Sequence, residues 1–145
     1  MQHGQNTGVF RRVIEEGFNR GNFDAWNDCF PPSFEEHQYG HPSTLAGLKQ
    51  SIAGLRKAIP DLTLTIDEMT TSGDKVWARM TARGTNEGPF MGFAPTGKSF
   101  TITVIDVCRF KDGKIVEHWG VPDRFALLHQ VGLLPGPSQL AVANG

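Results

Sequence analysis

The chain has 145 residues, 39% of them apolar and 20% charged, with a formal net charge of −1. That length makes one domain with enough chain for a sizeable core. The charge balance gives no electrostatic basis for binding nucleic acid or an anionic membrane, and no apolar run approaches the ~18 residues a membrane helix needs. The N-terminus, MQHGQNTGVFRR, lacks the charged-then-apolar layout of a signal peptide, so a cytoplasmic protein is expected. Cys29 and Cys108 are far apart in sequence and read as free thiols in the core.

In chain order, residues 6 to 20 read as an amphipathic helix. Val9, Phe10, Val13, Ile14, Gly17 and Phe18 recur at helical spacing, and Asn6 or Thr7 is placed to cap it. A short second helix over 23–30 ends at Pro31-Pro32. SFEEHQYGHP, residues 33 to 42, reads as a short strand with Phe34, Glu36 and Gln38 on one side and Glu35, His37 and Tyr39 on the other. Ser43 or Thr44 then caps a third helix carrying the stripe Leu45, Leu48, Ile52, Leu55 and Ile59, which Pro60 ends. From Asp61 the pattern changes to alternation. Leu62, Leu64 and Ile66 mark one strand, Ser72-Gly73-Asp74 a turn, and Val76, Ala78, Met80 and Ala82 the buried side of its partner.

After the loop PFMGFAPTGK come two long strands joined by Asp112-Gly113, a dipeptide suited to a two-residue hairpin loop. A regular ladder would pair Phe110 with Ile115, Cys108 with Glu117 and Asp106 with Trp119. Asp106 and Glu117 would then share an apolar face, with His118 on the other unless a bulge intervenes. The Asp106 face is expected to line the interior. A last short helix spans 122–131 with proline in its first turn, and PGPSQLAVANG reads as a loose tail. The expected organisation is one domain over 1–135 with a flexible tail over 136–145. Its class is α+β, with N-terminal helices packed on a curved antiparallel sheet.

Several side chains could carry chemistry. A mid-strand carboxylate at Asp106 must be paired, protonated, or open to a cavity. It fits either a structural bond to Arg79, Arg109 or an indole, or an acid/base role. Asp123 fits either a complement to the last helix's dipole or a base that removes a proton alpha to a carbonyl. His37 and Tyr39 lie near the expected mouth, where a neutral histidine could polarise a carbonyl. His118 reads as a surface or interface residue, or as a partner of those acids, and Glu117 as an ion-pair member. Trp77, Phe90, Met91, Phe93 and Trp119 could line a pocket for a flat substrate or fill a small core. His37 and His41 have HxxxH spacing, but in an extended segment, which is not the helical arrangement that binds zinc. Nucleotide loops, a nucleophile elbow and Cys-x-x-Cys pairs do not occur.

The stretches FNRGNFDAWNDCF, Glu36-His37, AIPDLTLTIDEMTTSGDKVWARMTARGT, GPFMGFAPTG, DGKIVEHWGVPD and LLHQVGLLP follow one another in an order that resembles the SnoaL-like polyketide cyclases. These are a branch of the nuclear-transport-factor-2-like superfamily, and the resemblance covers about residues 8 to 135. It implies a cone-shaped α+β barrel with a deep apolar pocket, commonly a homodimer, with no metal or organic cofactor. It also implies ring closure of a hydrophobic, aromatic polyketide by intramolecular aldol condensation, with Asp123 at the position of the family's acid/base. Many relatives carry histidine in a GTH-x-G segment where this chain has Asn86, which hydrogen-bonds but carries no proton. Asn86, Tyr39 or a pocket arginine is the candidate donor to a developing enolate oxygen. The Arg-x-Asp pair of limonene epoxide hydrolase occurs nowhere in the chain. The expected function is thus a cofactor-independent acid/base enzyme using Asp123, assisted by Asp106, His37 and His118. The alternatives are a cofactor-independent polyketide hydroxylase and a non-catalytic small-molecule-binding module.

Overall fold

The computed structural model describes residues 2–137. Helix α1 spans Gln2–Arg12 and continues as a π-helical segment, Val13–Asn19. The single helix expected over 6–20 therefore starts earlier and widens halfway. The cause lies in the next element, a 3-10 helix over Phe23–Asp28. Its fully buried Trp26 sends the indole N–H to the Val13 carbonyl, 3.0 Å away, where the helix changes pitch. The indole lies flat on Gly17, where an added Cβ would sit 2.1 Å from the ring, so this wide turn requires glycine.

Strand β1 is only two residues long, Glu35–Glu36. Helix α2, Leu45–Ala58, is capped by Thr44, whose hydroxyl accepts from Gly47 N at 3.1 Å. Strands β2 (Thr63–Ser72), β3 (Lys75–Thr85), β4 (Ser99–Lys111) and β5 (Lys114–Pro122) follow, then α3, Arg124–Gln130. Pro122 ends β5 and does not open the helix; Asp123 is the N-cap. The sheet has five strands in the order β1-β5-β4-β3-β2 and does not close on itself. The expected sheet was wholly antiparallel. The observed one is mixed, because β1 adds to β5 in parallel, while the other pairs are antiparallel.

Both hairpin turns fall where the sequence places them. Asp112 and Gly113 both have positive φ (53° and 77°), as a type I′ turn demands. Val76, Ala78, Met80 and Ala82 of β3 are buried against Leu48 and Ile52 of α2 and the first helix. That arrangement makes an α+β cone with helices over the concave face of the sheet. No helix among the described residues is long and apolar enough to cross a membrane. The tail expected over 136–145 lies, from residue 138 onward, outside the described residues.

The β4–β5 ladder departs from the regular register. Phe110 pairs with Ile115 as expected, but Arg109 then pairs with Glu117, leaving Val116 as an extra residue. Such a bulge turns every following side chain to the other face. Cys108 consequently pairs with His118 and Asp106 with Gly120, while Glu117, Trp119 and Val121 face outward. This corrects the expected sharing of a face by Asp106, Glu117 and Trp119.

Candidate active site

The concave side of the sheet encloses a cavity of about 430 Å³, the size of a small-molecule site. Most of its wall is apolar: Phe10, Ile14, Leu48, Ile52, Phe100, Ile102 and others. The Asp106 face of β4 lines it, as expected. Its polar groups are Glu36, Gln38, His41, Asp106, His118 and Arg124, with Ser51.

Three of these form a chain. His118 Nδ1–H donates to Glu36 Oε1 at 2.7 Å, and Nε2 lies 3.3 Å from Asp106 Oδ2. The Glu36 side chain is 1% exposed and that of Asp106 11%. Burial opposes charge on the imidazole, but hydrogen bonds to Asp106 and Glu36, together with their charges, outweigh it. His118 is pushed up to about 10 and is an imidazolium across the neutral range. Both ring nitrogens then donate, and each carboxylate keeps lone pairs for another partner. Glu36 also accepts from Gln38 N at 2.9 Å. Gly120, opposite Asp106, makes this packing possible. A Cβ there would lie 2.1 Å from Gln38 Oε1, 2.8 Å from His118 Cε1 and 2.9 Å from Asp106 Oδ1.

A second histidine, His41, meets the Gln38 amide nitrogen through Nε2 at 3.2 Å. With the amide donating, the ring proton sits on Nδ1. Burial lowers its pKa, and Glu36 only partly opposes that, so His41 is the neutral counterpart of His118.

On the outer face the same two strands make the reverse contact. His37 of the chain just after β1 bonds Glu117 of β5 at 2.7 Å and stacks on Trp119, with ring centroids 4.8 Å apart. Arg109 donates to the other Glu117 oxygen at 2.7 Å. Arg109 first, then His37, hold the Glu117 carboxyl below its ordinary range. Glu35, His37 and Glu117 present ligand atoms within 4.8 Å of one another, but the Arg109 guanidinium beside Glu117 works against adding a cation there.

Of the residues singled out in the sequence, the structure brings Asp106, His118, Phe90 and Met91 to the cavity. Asp123 is instead exposed at the N-terminus of α3. Its Oδ1 accepts from Ala126 N at 3.1 Å, and it borders a shallow outer groove with Thr103 and Phe125. His37, Glu117 and Trp119 are on the outer face, turned away by the bulge. Tyr39 is 93% exposed. Trp77 also faces outward, and Arg79 pairs there with Asp67 and Glu68. Asn86 is buried but committed to the β3–β4 loop: Oδ1 accepts from Thr96 N at 3.0 Å and Nδ2 donates to Gly88 O at 2.9 Å. Phe93 is half exposed and closes the same loop through paired backbone bonds with Phe90.

A model of the SnoaL-like polyketide cyclase family matches residues 8–131. The chain belongs to that family. A curated relative, aklanonic acid methyl ester cyclase AcmA from Streptomyces galilaeus, is 39% identical over 59 residues, 41% of each protein. Solved structures extend the likeness to the whole fold. IdmH from Streptomyces antibioticus, named as a candidate polyketide cyclase, has a TM-score of 0.78 and 31% identity over 88% of this chain and 99% of its own. AclR from Streptomyces galilaeus, named as a candidate hydroxylase, has a TM-score of 0.83 and 26% identity over 99% of this chain and 95% of its own.

In this member of the family, sequence reasoning passed over Gln38, Gly120 and Arg124, weighed His41 only as a metal ligand, and quoted Glu36 only as part of a family-like dipeptide. One signal was present. The dipeptide Glu-His occurs at 36–37 and again at 117–118, and parallel pairing of β1 with β5 sets Glu36 beside His118 and Glu35 beside Glu117. The two dipeptides interlock, glutamate to histidine inside and histidine to glutamate outside.

Proposed function

We propose that this SnoaL-like protein is a cofactor-independent acid/base enzyme that closes a ring in a hydrophobic, polyketide-type carbonyl compound by intramolecular aldol condensation. The observation that supports this reading is the Glu36–His118–Asp106 chain at the polar end of an otherwise apolar cavity. The acid/base role passes from Asp123 to Asp106, because Asp106 lines the cavity and Asp123 caps a helix outside it.

In the first step an Asp106 carboxylate oxygen takes the proton alpha to a carbonyl. The C–H electron pair becomes the carbon–carbon double bond, and the carbonyl π pair moves onto oxygen. The enolate carbon then attacks a second carbonyl carbon of the same molecule. Its oxygen takes the displaced π pair as an alkoxide and recovers the proton from Asp106. The His118 imidazolium, fixed by Glu36, keeps Asp106 oriented. The apolar wall excludes water, which would otherwise protonate the enolate. As written, the reaction consumes no cofactor.

The test is incubation of an anthraquinone-type β-keto ester with the protein in heavy water, with and without oxygen. Deuterium uptake at the alpha carbon and a cyclised isomer of the substrate, with one new carbon–carbon bond and no atom gained apart from exchanged deuterium, are expected in both atmospheres. Asp106→Asn is expected to slow both by about 10²–10⁴-fold. Turnover by Asp106→Asn at the wild-type rate would refute the assignment. The likeness to AclR supports a second reading, hydroxylation by oxygen without a cofactor, for which the product gains one oxygen and forms in air alone.

The same proposal includes a cytoplasmic homodimer. Trp77, Ile105 and Val121 on the outer face of β3–β5, with Phe125 of α3, expose an apolar surface that a second copy would cover. Light scattering of the purified protein reads the mass directly.

A further inference from the structure

Arg124 is the first residue of α3, is partly exposed, and lies between the cavity of Asp106 and His118 and the shallow outer groove beside Asp123, lining both. It is the one arginine or lysine among the described lining residues, and among the described residues it makes no hydrogen bond and no ion pair. That leaves its donors to solvent until a ligand enters the cavity. The group stays charged at every accessible pH and presents five N–H donors. The other cation of the cavity is already spent, since His118 lies between two carboxylates. Arg124 also acts electrostatically on His41, which places both at the polar end of the site. Of the donors considered from the sequence, Asn86 is committed to its loop and Tyr39 stands in solvent, which leaves a pocket arginine.

We propose that Arg124 is the donor to the substrate oxygen on which negative charge develops. This rests on the acid/base reading above. Charge balance supports that role. Glu36 and Asp106 contribute two negative charges, and His118 and Arg124 two positive ones. When Asp106 takes the alpha proton, its charge moves to the carbonyl oxygen. The cavity stays neutral, and the guanidinium gains the partner it lacked. A substrate bringing a standing carboxylate would occupy Arg124 before reaction and leave the enolate without a cation. An interaction present only after charge has developed raises kcat and leaves KM nearly unchanged.

The experiment uses 7-hydroxycoumarin, a flat neutral phenol whose phenolate absorbs separately, as a stand-in for the enolate. Wild type is expected to bind it and favour the phenolate by about tenfold or more over free probe, one unit in the phenol's pKa. Arg124→Gln is expected to bind the phenol but lose that shift, and Arg124→Lys to retain part of it, with unchanged circular dichroism and melting as the check on folding. A bound probe with unperturbed ionisation in wild type, or an equal shift in Arg124→Gln, would overturn the proposal. So would a wild-type preference for 2-naphthoate over its methyl ester that Arg124→Gln abolishes, since that marks a standing-anion site. The two readings fail separately. Deuterium exchange in wild type with no Arg124-dependent probe shift sinks the arginine's role alone. A probe shift without exchange sinks the acid/base reading and leaves an oxyanion site.

Discussion

Asp106 and His118 meet inside the cavity because Val116, two residues before His118, has no partner on β4. The extra residue brings the imidazole to the side where two buried carboxylates wait. Charge, orientation and access to substrate all follow from that shift.

Replacing His118 by Gln removes the cation shared by Glu36 and Asp106. Both carboxylates are largely shielded from solvent, so the loss is expected to cost about 3–5 kcal/mol, read as a fall in the urea midpoint. The pH dependence has a definite sign. The imidazole titrates at 6.5 in the unfolded chain and at about 10 in the folded one. Its contribution to stability is therefore full below pH 6.5 and drains away as pH rises through about 10. Denaturation midpoints measured across that window should decline in wild type and stay level in His118→Gln. A flat wild-type profile would contradict the ion-pair arrangement.

Two aspartates can be sorted by paired substitutions. Asp123→Asn keeps a side-chain oxygen for Ala126 N and should leave both stability and turnover near wild type. Asp123→Ala removes the cap and should cost about 1 kcal/mol of stability. Asp106→Asn should fold and lose turnover. Thermal melts and initial rates on the same preparations read both effects, and a large rate loss in Asp123→Asn would return the acid/base role to that residue.

Gly120 is the tightest point of the site. Gly120→Ala places a methyl group against Gln38, His118 and Asp106, all under 3.0 Å. The expected result is about 1–3 kcal/mol of destabilisation with a disproportionate loss of rate, because the groups that must yield include the one proposed as acid/base. Gly8→Ala, in α1 with open space around it, is the control and should stabilise by about 0.5–1 kcal/mol.

Cys29 and Cys108 are both buried, and burial raises both thiols above their ordinary value. Neither should react with a disulfide reagent in the native protein, and both should react on unfolding at the same denaturant concentration. Rapid labelling of one thiol in the native state would show that the cavity wall at Cys108 or the helix packing at Cys29 is looser than described.

Much of the fold could be read from local chemistry. Alternation in β2, β3 and β4 and the Asp112-Gly113 turn each follow from short-range preferences that the tertiary structure leaves intact. The bulge could not be read, because Ile115 and Val116 are both apolar. Either can face the core, so the pattern does not say where the register slips. Alternation put Glu36 on the Phe34 side and Glu35 opposite, but the burial of Glu36 against His118 shows only once β5 is laid beside it. Asn86 and Asp123 make structural bonds, which the sequence left open beside a chemical role, since a buried amide or a capping carboxylate has the same sequence appearance as a catalytic one. Arg124 followed Asp123 immediately and carried no motif of its own.

The strand that brings Glu36 to His118 is two residues long and sits at the edge of the sheet. Little backbone pairing holds it, so it is expected to dock late in folding and detach early in unfolding. The four long strands can persist without it, leaving His118 with Asp106 alone. As denaturant rises, the enzyme should fall silent while its aromatic core is still intact, its activity reporting on β1 rather than on the fold.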